Sequence, residues 1–382
     1  MSHFHRPLPI SVFLVAQQVE QTFEEKYRVS NTAFPSPEAV STALDPRTLH
    51  LLVLPTEDCN FRCTYCYEDH VRGKMRPEIV SGIKQLIDRR LGDVRAIELS
   101  WFGGEPLLAK DVVFDLCEFV HQRCQDTGVI RLSGDMVTNA YFLTLSVAER
   151  LAAAGHRRFH ISLDGIGDDH DRLRPLASGR GTFERIWENL TTLRGSDLDF
   201  IVVLRLHYGM ASLQAAETLC RAVNVQFGHD HRFRVLLQRI ANLGGENTGK
   251  IIPLPIDEAM RRGRHLTGLM PDIVVPDVET AEDGICYAAQ PNHLLIRADG
   301  RIGKCAVNLR DVRNTIGHLD TDGRLQIDND RLRPWLKGFA SLDADLLTCP
   351  YQWVRTTPAP TAQPVIFAGP AMRTAPSTAA TS

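Results

Sequence analysis

Between residues 49 and 240 the chain alternates short β-like runs with longer helical stretches, and this rhythm restricts the fold more than any other feature. Apolar, β-branched runs at 49–54, 96–102, 130–138, 159–163, 200–206 and 233–240 read as strands. Helical patterns fall between them near 77–91, 110–125, 146–154, 182–194 and 212–223. Pro77 opens the first helix, where a missing N–H costs nothing, and Gly155 sits just past the third, as a C-cap would. Six βα units predict a parallel sheet with outer helices, too few for a closed eight-stranded barrel. The expected fold is therefore α/β, an open partial (β/α)6 barrel with functional loops at the C-terminal ends of its strands.

Past Gly244-Gly245 the rhythm changes. Residues 246–283 contain Pro253, Pro255, Pro271 and Pro276 and one expected helix near 257–269. A hairpin follows at 294–305, with Asp299-Gly300 as its turn. Residues 356–382 are rich in Pro, Ala and Thr without periodicity and are expected to be disordered. The chain thus divides into an N-terminal cap or leader-contacting segment (1–47), a barrel (48–245), a linker with a helix (246–283), a small α+β domain (284–355) and a tail (356–382). In 382 residues, a 43% hydrophobic and 23% charged composition is that of an ordinary globular protein. A net charge of −3 gives no basic footprint for nucleic acid. No apolar run reaches the roughly 20 residues that span a bilayer. The apolar stretch at 10–16 lacks a small-residue cleavage site, so a cytoplasmic location is expected.

Nine cysteines in a cytosolic chain favour metal or redox chemistry over disulfides. Three of them, Cys59, Cys63 and Cys66, lie within eight residues just after the first strand. Thiolates this close on one loop can converge on a soft metal centre. A zinc site is the other reading, but zinc needs a fourth ligand and usually takes paired C-x2-C spacings, and no second such pair occurs. Buried, inert thiols are the expectation for Cys117, Cys124 and Cys220, which fall in helical stretches.

The spacing C-x3-C-x2-C, with Tyr65 before the last cysteine, resembles the signature of radical S-adenosylmethionine (radical SAM) enzymes. The resemblance implies a [4Fe-4S] cluster on Cys59, Cys63 and Cys66 whose open iron chelates S-adenosyl-L-methionine. Gly103-Gly104-Glu105-Pro106, at the end of the second strand, resembles the motif that holds the methionine amino group. By the same resemblance Asn139, Ser162 and Asp164 are candidates for the ribose and carboxylate side of SAM, and Tyr65 for the adenine. Arg205, a cation within the fifth strand, is expected to meet the SAM carboxylate, with an ordinary ion pair as the alternative. Tyr141, His160 and His207 also lie near strand ends, where nothing separates them from packing residues.

Cys286, Gly300 and Cys305 form a C-x13-G-x4-C pattern that resembles the opening of a SPASM or twitch auxiliary-cluster domain. Cys349 supplies a third candidate ligand. The further cysteines of a full SPASM pattern are missing, since position 352 is Gln and no cysteine follows Cys349. A second Fe-S cluster with three cysteine ligands and a degenerate domain that binds nothing both remain open. The resemblance implies an enzyme that cleaves SAM reductively and abstracts hydrogen from a peptide or protein. The modification would be a crosslink, thioether or epimerisation, as in the maturases of ribosomally made peptides. An external electron donor of flavodoxin or ferredoxin type is implied. The alternatives are an anaerobic sulfatase-type maturase making formylglycine, a small-molecule radical enzyme, and a non-catalytic metal-binding protein on a degenerate scaffold.

Overall fold

The computed structural model describes residues 34–209, 212–273 and 284–360. The leader-contacting, linker and tail expectations fall partly outside these residues. After a short helix α1 (Pro37–Leu44), the chain enters β1 (Thr48–Val53), then α2 (Pro77–Arg90) and β2 (Ala96–Trp101). Next come α3 (Lys110–Thr127), β3 (Ile130–Thr138), α4 (Leu145–Ala153) and β4 (Arg158–Leu163). Two helices, α5 (Asp168–Leu173) and α6 (Phe183–Arg194), precede β5 (Ile201–Tyr208), α7 (Leu213–Phe227), β6 (Phe233–Arg239) and α8 (Ile256–Thr267). The C-terminal part adds β7 (His293–Ile296), β8 (Arg301–Gly303), β9 (Gly317–Leu319) and β10 (Leu325–Ile327). Short helices close the described chain, among them Ala344–Thr348.

Strands β1 to β6 pair in parallel, in chain order. Among the described residues β1 and β6 do not pair with each other, so the barrel is open, as the six-unit count predicted. Each strand is flanked by a helix whose apolar stripe covers it. In α2, Ile79, Ile83 and Leu86 recur at helical spacing and are buried, while Pro77 opens the helix and Arg89 and Arg90 lie in its last turn. Every residue of β2 is buried, polar Glu98 and Ser100 included, because the strand is covered on both faces. Leu51, Leu99, Ile161 and Leu204 have no exposed surface, and each such side chain contributes roughly 1.5–3 kcal/mol on burial.

The hairpin expected around Asp299-Gly300 is β7 and β8, with Gly300 at φ +85°. What pattern reading did not anticipate is its partner. β7 pairs in parallel with β1, His50 opposite His293, so the C-terminal strands extend the barrel's own sheet in the order β10-β9-β8-β7-β1. This pairing brings the second cysteine-bearing region beside the first. Among the described residues no helix is long and apolar enough to cross a membrane.

Candidate functional site

The loop between β1 and α2 carries Cys59, Cys63 and Cys66, all half-buried. Phe61 is its anchor, fully buried and edge-on to Tyr141 with ring centres 6.0 Å apart. The strand-like segment after α5 runs alongside it. Arg62 N–H donates to the Pro175 carbonyl (2.8 Å), Thr64 N–H to that of Leu173 (2.9 Å) and Ala177 N–H to that of Asn60 (2.8 Å). Phe61 N–H points at the Cys59 sulfur (3.4 Å), and the Asn139 side-chain amide lies 3.9 Å from it. Burial pushes all three thiols up, Cys66 to about 12. Binding a metal here must therefore displace protons that the bare protein holds firmly.

The end of β2 packs directly against this loop. Gly103 has φ +104°, and a Cβ there would lie 2.3 Å from the Thr56 carbonyl oxygen. A Cβ on Gly104 would lie 2.2 Å from that of Asp58. Two backbones meet here with no room for a side chain between them. Glu105 lies fully buried behind the cavity wall. Its carboxylate accepts from Leu107 N–H (2.9 Å), the Thr138 hydroxyl (2.7 Å) and Asn139 N–H (2.7 Å), tying the ends of β2 and β3 together. Burial pushes this carboxyl up, and those donors work against the rise. Pro106 is buried next to it.

A cavity opens over the C-terminal ends of the parallel strands. Cys59, Cys63, Cys66, Tyr65, Gly103, Gly104, Asn139, Ser162 and Arg205 all line it. Strand register explains the convergence: Ser162 on β4 lies opposite Arg205 on β5. Asp164 lies one layer behind, without exposed surface. Its carboxylate accepts from the Tyr65 hydroxyl (2.5 Å) and meets His207 Nδ1 (2.7 Å), with Arg174 Nε at 3.8 Å. Burial alone would raise this carboxyl, but His207 and Arg174 outweigh it and hold Asp164 well below the usual carboxylate range.

Sequence reasoning named His207 without giving it a role and missed several other lining side chains. His207 is two residues after Arg205 on the same strand, so alternation places both on one face. Gln238 on β6 lies opposite His207. Arg174 comes from the turn after α5, a helix too short and too charged to show apolar periodicity. Glu68 and His70 close the cavity on the side of the cysteine loop. His160, by contrast, belongs to a separate buried pair, with Nε2 3.3 Å from Asp135.

Cys286, Cys305 and Cys349 are also brought together. They line a second, narrow cleft with Tyr287, Asn308, Trp335 and Tyr351. Cys286 N–H donates to the Leu347 carbonyl (2.8 Å), and the Asn308 amide lies 3.4 Å from the Cys305 sulfur. A third space lies between the two: Tyr67, Glu68 and Leu243 line it and the larger cavity, while Val307, Asn308 and Tyr351 line it and the smaller cleft. Cys117, Cys124 and Cys220 are buried in helices, away from both.

Several known proteins resemble this chain. A GTP 3',8-cyclase of Cyanothece is 34% identical over 145 residues, covering 37% of this chain and 42% of the relative. A serine-type anaerobic sulfatase-maturating enzyme of Klebsiella aerogenes is 27% identical over 187 residues, covering 47% of this chain and 46% of the relative. The chain thus spans about half or less of the length of these relatives. Among solved structures, native anSMEcpe with bound AdoMet and Cp18Cys peptide superposes with a TM-score of 0.57 at 16% identity, covering 78% of this chain and 83% of that one. Streptococcus suis SuiB bound to precursor peptide SuiA gives 0.53 at 15% identity, covering 87% and 82%. At these identities the likeness concerns the fold. Residues 53–211, which hold the three clustered cysteines and the glycine pair, match the radical SAM superfamily, and the chain carries a radical SAM domain.

Proposed function

We propose that the chain is a radical SAM enzyme that modifies a peptide, with Cys59, Cys63 and Cys66 as ligands of a [4Fe-4S] cluster. The observation that carries this reading is the convergence of three thiols, a bare glycine backbone, Asn139, Ser162 and Arg205 on one cavity at the strand ends. The donor set fits the group: three soft ligands on one loop suit an iron–sulfur cluster. Bound together, the cluster and SAM would supply one-electron cleavage of the sulfonium and hydrogen abstraction from the substrate. The chain's own residues bind and orient. Gly103 and Gly104 offer backbone carbonyls to the SAM ammonium, and Arg205 beside Ser162 receives the carboxylate. Asn139 and the Tyr65–Asp164 pair take the ribose and adenine side, and Glu105 and Pro106 hold the loop that presents the glycines. The buried walls exclude water from the reacting atoms.

In this reading residues 48–245 bind SAM, and 284–355 form an accessory domain in which Cys286, Cys305 and Cys349 hold a second cluster. Both solved structures named above contain a bound peptide, which supports that substrate class. An external flavodoxin or ferredoxin would deliver the electron in the cytoplasm. The sulfatase-maturating relatives favour a second reading, oxidation of a Cys or Ser side chain to formylglycine.

The test is iron, sulfide and dithionite-driven 5′-deoxyadenosine release in protein purified and reconstituted without oxygen. About seven or eight irons per chain are expected, falling to about four in Cys349→Ala. Cys63→Ala should abolish SAM cleavage, and cleavage at the parental rate in that variant refutes the assignment. Mass analysis of a cysteine-containing peptide then separates crosslinking or epimerisation from formylglycine formation.

A further inference from the structure

The segment that follows α5 brings a buried cation to the cysteine loop. The three backbone bonds between residues 60–64 and 173–177 fix Arg174 against that loop. Arg174 is 7% exposed. Its Nη1 donates to the Tyr65 hydroxyl (2.7 Å), its Nε lies 3.8 Å from Asp164, and its guanidinium stands 5.8 Å from the Phe61 ring centre. Asp164 is the matching anion, fully buried and fixed by Tyr65 and His207. Arg174 lines the same cavity as Cys59, Cys63 and Cys66, and the hydroxyl of Tyr65, which stands between two of those cysteines, meets both Arg174 and Asp164. Both charges are shielded from salt and act through a low-dielectric interior, where their reach is longest.

We propose that Arg174 and Asp164 are positioning residues that set the electron affinity of a cluster held at Cys63, Arg174 favouring its reduced state and Asp164 opposing it. The physical reason is charge. Reduction adds one negative charge beside Cys63, which a fixed guanidinium stabilises and a fixed carboxylate destabilises. Neither side chain gains or loses an electron or proton; the electron comes from an external reductant, dithionite in the test. The inference rests on the reading of Cys59, Cys63 and Cys66 as ligands.

The experiment is an EPR-monitored redox titration of reconstituted protein in the absence of SAM, after iron and sulfide have been counted. Arg174→Gln should shift the midpoint potential negative, Asp164→Asn should shift it positive, and Arg174→Lys should stay nearer the parent than Arg174→Gln. Parental potentials in the Gln and Asn variants, or shifts of the same sign, overturn the proposal. If Arg174→Gln loads no iron, Asp164→Asn decides alone: a positive shift supports the proposal and any other result overturns it. Loss of iron from both variants also overturns it, because the pair then only holds the loop. A parent chain without iron and sulfide sinks the ligand reading instead, so the two failures are distinct.

Discussion

Gly104→Ala tests the contact between the two backbones on which the site depends. The added Cβ would stand 2.2 Å from the Asp58 carbonyl oxygen, 2.5 Å from its carbon and 3.0 Å from Cys59 N. A carbon and an oxygen need about 1 Å more than the shortest of these, so one backbone must move by that amount. The Asp58 carbonyl is not free to yield, because it accepts from Glu105 N–H at 2.9 Å. Glu105 is fixed in turn by its three bonds to Leu107, Thr138 and Asn139. The strain should cost about 1–3 kcal/mol of stability. The larger effect is on geometry: the chain that shifts includes Cys59, and a misplacement of about 1 Å near reacting atoms can cost roughly 100-fold in rate. Gly92→Ala is the control, since nothing lies within 4 Å of its Cβ. The assay is thermal unfolding together with iron content and 5′-deoxyadenosine release. Gly104→Ala should lose rate or cluster loading far beyond its loss of stability, and Gly92→Ala should lose neither. A Gly104→Ala protein with parental iron and parental rate would refute the close-approach argument.

Two further outcomes follow from buried charge. Arg297, 3% exposed, donates through Nε (3.0 Å) and Nη2 to Glu57, two residues before Cys59, and through Nη1 to the Leu309 carbonyl (2.5 Å). Arg297→Met leaves Glu57 buried with the part-exposed Arg72 at 3.6 Å as its cation, and should cost about 3–5 kcal/mol in denaturant unfolding. Glu57→Gln in the same chain should recover part of that loss, and a single-variant cost under about 1 kcal/mol contradicts the reasoning. Lys304 has no exposed surface; it donates to the carbonyls of Gln290 (2.5 Å) and His293 (2.8 Å), and burial pushes it down to about 7. Between that value and the ordinary lysine range the unfolded chain binds a proton that the folded chain does not, so stability rises with pH across this window and the full cost is felt below it. The slope approaches about 1.4 kcal/mol per pH unit in mid-window, and Lys304→Met should abolish it. Parallel unfolding curves for parent and variant from pH 7 to 9 would show Lys304 to be charged throughout.

Much of the barrel was legible because its strands are short, rich in apolar residues and bounded by polar turns, with β1, β2, β4 and β6 buried almost throughout. The 130–138 run matches β3 at both ends, and the other five lie within one or two residues of the observed strands. The cysteine loop and the glycine pair were legible for a different reason: soft ligands at close spacing, and backbone with no side chain, are chemical signals independent of fold. What stayed hidden depends on partners distant in the chain. The sequence of α5, Asp168 to Leu173, is mostly acidic or basic and too short for periodicity, so nothing marked the next residue, Arg174, as a neighbour of the cysteine loop. The pairing of β7 with β1 spans more than two hundred residues and has no local signature.

Glu105 shows the limit from the other side. A motif resemblance places it toward a ligand's ammonium, whereas its carboxylate meets three donors of the protein itself. The motif thus holds two kinds of residue. Its glycines make room at the cavity, and its acid holds the ends of β2 and β3 at the distance where that room is useful. Because the acid acts through backbone it fixes and not through contact, Glu105→Gln should keep most of the site. The amide oxygen can still accept from Leu107 and the Thr138 hydroxyl, but its NH2 faces the Asn139 N–H donor. Loss of that one bond should cost about 1–3 kcal/mol, read by thermal unfolding. Binding of S-adenosylhomocysteine should weaken less than in Gly104→Ala. Binding lost more completely in Glu105→Gln than in Gly104→Ala would mean that the acid meets the ligand directly, and that its bonds to Thr138 and Asn139 give way when the cavity is filled.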